Sequence, residues 1–233
     1  MNCRLFCSST RNEFNYTFAR RQMARLIREG TAGLPPNPRI LVAPLGSGLD
    51  LPFLLPLSND LAGIDISPEA VASVANDQIR KFVGDMKRMT MFGDASFDAV
   101  VTPLFYHHFL GFGFDEFLGE TFRVLRPGGH LFSLEPSSLH PVHWLTWAGR
   151  KVFGNISGTL ADEAPFVPHR LASAMRRCGF RQVRVQAASY THHRIPIWLA
   201  RINNAATYPL LKCPGIQHFG WLCFFSGHKP QAE

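Results

Sequence analysis

The chain has 233 residues, 46% of them hydrophobic, with a formal net charge of +7 and an isoelectric point near 9.5. That length suits one α/β domain spanning residues 1–233 and is too short for two enzymatic domains, while the hydrophobic content excludes wholesale disorder. The basic, phenylalanine-rich composition fits an anionic partner, either a membrane surface or nucleic acid, and does not choose between them.

No stretch approaches the roughly eighteen apolar residues that a spanning helix needs. The first residues, Met1 to Arg11, are basic but have no apolar core behind them, so they do not read as a secretory leader. A cytoplasmic protein is expected, with peripheral membrane contact open. The five cysteines, at 3, 7, 178, 213 and 223, form no CxxC pair. They read as reduced thiols rather than as a disulfide framework or metal site.

In chain order, Glu13 to Arg28 has the periodicity of a helix. Phe14, Phe18, Met23, Leu26 and Ile27 fall mostly three or four apart, and the arginines fall mostly elsewhere. Gly30 and Pro35-Pro36 end it, leaving residues 1–37 as an N-terminal helical cover. Strands are predicted at Arg39–Ala43, Leu61–Asp65, Phe82–Val83, Phe97–Thr102 and His130–Glu135. Between them, Ser67-Pro68-Glu69 supplies an N-cap, a first-turn proline and an early acid. Asp115 to Leu125 places Leu118, Phe122 and Leu125 on one helical face. A helix at Leu171–Cys178 and strands at Gln182–Gln186 and Trp221–Phe225 follow. The alternation implies a doubly wound, mostly parallel sheet of seven strands with helices on both faces. Residues 137–165 and 191–219 interrupt it and read as lid insertions over the acceptor.

Several motifs lie at the strand ends. Gly46 and Gly48 frame Ser47 just after the first strand, Asp65 closes the second, and Gly84-Asp85-Met86 follows the third. The fourth runs into Thr102-Pro-Leu-Phe-Tyr-His-His-Phe109, and a helix ends in Arg-Val-Leu-Arg-Pro-Gly-Gly129 before the fifth strand. From Gly46, a dinucleotide fingerprint would need glycine at 51, where leucine stands.

This order resembles the class I S-adenosylmethionine (SAM)-dependent methyltransferases, and within them the type-11 branch of the ubiquinone and menaquinone enzymes. The resemblance covers about residues 38–136. It implies a Rossmann-like fold, SAM as cofactor, and a cofactor site of Gly46, Ser47, Gly48, Asp65, Ile66, Asp85, Met86 and Thr102. Asp65 would take the ribose hydroxyls and Asp85 the adenine amine. Asp98 would be a structural strand-start residue. The family's acid and first glycine are here Val42 and Pro44, with Asp50 available as a substitute carboxylate.

On the acceptor side the resemblance places His108 where the family often has a histidine facing the cleft, either as a base or as a residue that shapes the pocket, with His107 and Glu135 the next candidates. Glu135 is alternatively a lid anchor. His140 and His143 lack a third ligand, so no metal is expected. Trp144, Trp147, Phe153, Trp198 and Tyr208 would build an apolar acceptor pocket or a satellite core. The expected reaction is methyl transfer from SAM to a small hydrophobic or lipid-like acceptor. A nucleic-acid methyltransferase is the second reading, disfavoured because Thr102-Pro103-Leu104 is not the Asn/Asp-Pro-Pro-aromatic motif. A SAM-fold partner protein without catalysis is the third.

Overall fold

The chain order of the elements alternates strands with helices, as its periodicities dictate. A computed structural model describes residues 10–142, 166–193, 195–213 and 215–231. Helix α1 (Thr10–Gly30) precedes β1 (Ile40–Val42), α2 (Leu51–Leu54), β2 (Leu61–Asp65), α3 (Pro68–Ser73), β3 (Ile79–Val83) and β4 (Phe97–Pro103). There follow α4 (Asp115–Val124), β5 (Leu125–Pro136), α5 (Pro168–Arg177), β6 (Arg181–Ser189), α6 (Ile197–Leu211) and β7 (Leu222–His228).

The seven strands form one sheet in the order β3-β2-β1-β4-β5-β7-β6. Strands β1 to β5 pair in parallel, with Ile40 beside both Leu61 and Ala99. Strand β7 runs antiparallel between β5 and β6, with Glu135 opposite Cys223 and Val185 opposite Phe225. The winding reverses between β1 and β4. A crevice opens there beyond the carboxyl ends of the strands, where ligands of such sheets sit.

Two cores cover the two faces. Leu118, Leu171, Met175, Phe180 and Phe225 pack under α4 and α5, whereas Met23, Ile27, Leu54, Trp221 and Phe224 pack under α1 and α2. Phe224 and Phe225 fall in different cores because successive side chains of a strand point to opposite faces. Ser67 caps α3 by accepting the Ala70 amide at 3.1 Å, with Pro68 opening the first turn.

Two expectations change. Residues 191–219 hold a fifteen-residue helix, α6, rather than an irregular insertion. Arg20, assigned by periodicity to the solvent side of α1, is only 7% exposed. Its guanidinium Nε donates to Asp50 Oδ1 at 2.8 Å. A distant carboxylate has overridden the local pattern. Most of the 137–165 insertion, with His143, Trp144, Trp147 and Phe153, lies outside the described residues.

Candidate active site

The loop after β1 is built around two glycines with left-handed backbones, Gly46 at φ +53° and Gly48 at φ +75°. A side chain at either would be strained. The space above Gly46 is open, with no atom within 4 Å of where a Cβ would stand, as a loop that receives a ligand requires. Ser47 is exposed and Val42 is buried in β1. Pro44 follows a cis peptide.

Asp65 organises this corner. It is 8% exposed; its Oδ2 accepts the Gly46 amide at 2.7 Å and its Oδ1 accepts the Ser67 amide at 3.0 Å. Each carboxylate oxygen retains a second acceptor site, so the group can also take a diol. Ile66 beside it is exposed. After β3, Asp85 is exposed and its Oδ1 accepts the Lys87 amide at 2.8 Å, while Met86 is buried.

The segment carrying these residues is anchored from α4. Glu120 Oε1 accepts the Met89 amide at 2.6 Å, and Arg123 donates to Glu120, Asp94 and the carbonyls of Met89 and Phe92. The Arg123 hydrogen bond leads the effects that hold the Glu120 carboxyl below its ordinary range. Asp98 takes the structural role expected of it. It accepts the Arg39 amide at 2.6 Å and pairs with Arg126.

Across the crevice, the carboxyl end of β4 passes into a 3-10 turn, Tyr106–Phe109. Glu135, fully buried at the end of β5, holds the start of that turn. Its Oε1 accepts the amides of Phe105 (3.0 Å) and Tyr106 (2.9 Å) and the Ser133 hydroxyl (3.0 Å), and its Oε2 accepts the His107 amide (3.3 Å). Leu104, just before, sits at φ +53°, which leucine rarely adopts. The bonds to the next three amides fix the chain in that conformation.

Glu135 Oε2 also meets the Nδ1 of His107 at 2.8 Å. An ionised carboxylate only accepts, so in this contact Nδ1 is the donor and Nε2 is the ring nitrogen turned away from Glu135. His108 lies against His107, with ring centres 3.9 Å apart and planes tilted by 40°, and is the more exposed of the two. Partial loss of solvent, and secondarily the neighbouring His107, hold the His108 imidazole below its ordinary range. The structure thus joins His107 to Glu135 and leaves His108 outside the pair. Thr102, expected beside the cofactor, is fully buried. Its hydroxyl donates to the Phe132 carbonyl at 3.2 Å, so its side chain is occupied inside the sheet.

Asp50, the carboxylate available as a substitute for the missing acid, is paired through Oδ1 with Arg20 Nε at 2.8 Å. Arg20 also lies over the Tyr16 ring, 5.5 Å from its centre. Tyr16 meets Trp221 edge-on at 5.2 Å, and His192 and His193 pack on Trp221 at 5.5 and 5.2 Å. Asn15 donates to the carbonyls of both histidines. Helix α1 therefore links the glycine loop to the ends of β6 and β7. No local motif signals this chain of contacts, because Asn15 and His193 lie 178 residues apart and Tyr16 and Trp221 further still. His140 bonds the Tyr190 carbonyl at 3.0 Å, and no metal-binding cluster occurs among the described residues.

A sheet of this order, with a glycine loop after β1 and carboxylates closing β2 and following β3, has the fold of the class I SAM-dependent methyltransferases. Residues 43–133 match the type-11 family described as a methyltransferase domain, and SAM is the cofactor. The chain is 27% identical to an uncharacterized methyltransferase of Synechocystis over 173 residues, 73% of this chain and 79% of that protein. It is 34% identical to the demethylmenaquinone methyltransferase of Deinococcus radiodurans over 143 residues, 52% of this chain and 58% of that protein. A SAM-dependent methyltransferase of Thermotoga maritima shares the fold at a TM-score of 0.58 and 17% identity, covering 94% of this chain and 95% of that one.

Proposed function

We propose that the enzyme methylates a small apolar acceptor that gives up a proton as the methyl arrives, and that the His107–Glu135 pair receives that proton. The observation carrying this reading is the 2.8 Å contact between a fully buried carboxylate and an imidazole beside the crevice. Bound SAM supplies a methyl group already activated by its sulfonium. The chain's own task is to orient the two partners, exclude water and take the proton. Glu135 fixes the tautomer of His107 and compensates the imidazolium formed when Nε2 is protonated, much as a carboxylate does in a hydrolase triad. His108, held neutral over a wider pH range, shapes the pocket wall.

In the cofactor site, Gly46, Ser47 and Gly48 would approach the methionine part and Asp65 the ribose diol. Ile66 and Met86 would contact the adenine and Asp85 its amine. The similarity to a protein named for demethylmenaquinone supports an apolar acceptor.

Calorimetry with SAM, joined to methylation assays on apolar and polar acceptors, tests both halves. Asp65→Ala should weaken SAM binding by about 1.5–3 kcal/mol, the worth of hydrogen bonds to a charged acceptor. His107→Asn should lower kcat roughly 10²-fold with SAM affinity unchanged, and His108→Asn by much less. Equal losses from the two histidine variants would remove the assignment to His107.

A further inference from the structure

Helix α6 is inside out. Its inner face buries Ala200, Asn204 and Thr207, with Asn204 accepting the Thr191 hydroxyl at 2.6 Å. Its outer face shows Trp198 at 66% and Ile202 at 59% exposure, one turn apart, and then Ala205 and Pro209. Arg201, Tyr208 and Lys212 are exposed alongside. An aqueous helix keeps its apolar stripe inward, so large apolar side chains turned outward on a polar-backed helix mark a contact surface. Trp198 and Tyr208 do not form the acceptor pocket or satellite core expected of them.

The charge of the chain is also segregated along the sequence. Between Ala164 and Ala232 there are nine Lys and Arg and no Asp or Glu. Residues 1–163 hold fifteen basic and sixteen acidic side chains, so the entire net positive charge resides in the last stretch. That stretch is α5, β6, α6 and β7, which together make one edge of the sheet.

The geometry points to α6 as a docking surface for an anionic lipid bilayer. Trp198 and Ile202 would enter the headgroup boundary, and Arg201, Lys212 and the surrounding field would attract the lipid charge. Tryptophan, tyrosine and basic residues on one face are the composition that interfaces of this kind favour. A second copy of the chain fits less well, because a two-fold contact through this helix would bring Arg201 and Lys212 of both copies together. RNA would use the charge but has no use for Ile202. Helix α6 joins the carboxyl end of β6 to β7, on the same side of the sheet as the crevice, so docking would bring the acceptor entrance to the membrane. The inference deepens the apolar-acceptor reading but is read without any acceptor.

The test is co-sedimentation of the full chain with vesicles of neutral phosphatidylcholine and with vesicles containing about a third phosphatidylglycerol. The expected result is binding to anionic vesicles that weakens tenfold or more when salt is raised from about 0.1 to 0.5 M. The pair Trp198→Ser and Ile202→Ser should lose tenfold or more, as should Arg201→Glu with Lys212→Glu. SAM binding and the thermal midpoint should stay unchanged in both, since these side chains are exposed. Salt-insensitive or absent vesicle binding overturns the proposal. So does a double-serine variant that binds as well as the parent, a dimer that this variant splits, or RNA binding that it leaves intact.

Discussion

The cofactor side and the acceptor side of this sheet are built on different principles. Around β1, β2 and β3, each candidate ligand is a strand-end residue whose partners lie close in sequence or on the next strand. Asp65 bonds Gly46 and Ser67, and Asp85 bonds Lys87. On the acceptor side, almost every contact is remote. Asn15 reaches His192 and His193, Tyr16 reaches Trp221, and Glu135 holds a turn about thirty residues upstream. The charge divides along the sequence instead, with near neutrality in residues 1–163 and an excess of positive charge after them. A conserved chemistry on one cofactor can be written in local motifs, whereas a particular acceptor is met by whatever distant segments the fold brings together. The comparison can be broken at the points where the two sides meet.

The largest effect is expected at Glu135, which joins the end of β5 to the turn after β4. Replacing it with alanine strands three backbone amides, that of Tyr106 buried and those of Phe105 and His107 partly so, and should destabilise the protein by on the order of 3–5 kcal/mol. Glu135→Gln keeps one acceptor oxygen and the volume, so it should fold but fail to fix the His107 tautomer. Chemical unfolding of both variants, beside turnover of the glutamine form, separates the two roles. If Glu135→Ala unfolds at the parent's denaturant midpoint, the turn does not depend on Glu135 and the distinction drawn above fails.

An intermediate effect is expected where α1 ties the glycine loop to the opposite side. Arg20 and Asp50 are both largely buried, with side chains 8% and 18% exposed. Arg20→Met leaves Asp50 without its counter-charge, and Asp50→Asn does the reverse. Each single variant should cost about 2–3 kcal/mol in stability, and the double variant less than the two singles combined. The same cycle on SAM affinity sharpens the comparison. Coupling in stability alone would make α1 a structural brace. Coupling in affinity as well would make the glycine loop depend on a remote partner, as the acceptor side does.

These cases also show what was readable in advance. Strand β2 was predicted at its observed bounds, and the Ser67 cap was predicted with its proline, because apolar runs and caps are local physics. The pairing of Arg20 with Asp50 was not readable. Periodicity placed Arg20 on the wet face, and nothing in a helical pattern announces a carboxylate 30 residues away. Helix α6 was missed for a related reason. Its outward Trp198 and Ile202 and inward Asn204 and Thr207 invert the apolar stripe by which a helix is recognised. Among the base candidates, His107 and His108 are indistinguishable as letters. Only the position of Glu135 on the neighbouring strand separates them.

The smallest expected effect is the pH dependence of the Glu120 anchor, which belongs wholly to the cofactor side. The hydrogen bond from Arg123 is the main cause that lowers the carboxyl below its ordinary value of 4.5; loss of solvent opposes it, and the bond from the Met89 amide adds a lesser lowering. The folded protein therefore holds this proton less tightly than the unfolded chain, so unfolding takes up a proton in acid. The contribution is complete above about 4.5 and is lost as pH falls through the lower folded value. Glu120→Gln should cost about 1–2 kcal/mol at pH 7, the order of a partly buried charge-assisted bond. The gap from the parent should narrow as pH drops below 4.5. Urea unfolding of both proteins between pH 7 and pH 3 reads this directly. A gap that stays constant would show that neutral hydrogen bonding, rather than the ion pair with Arg123, secures the segment behind Asp85. That would place the anchor on shape instead of charge, and make even the locally written side of the molecule less electrostatic than its residues imply.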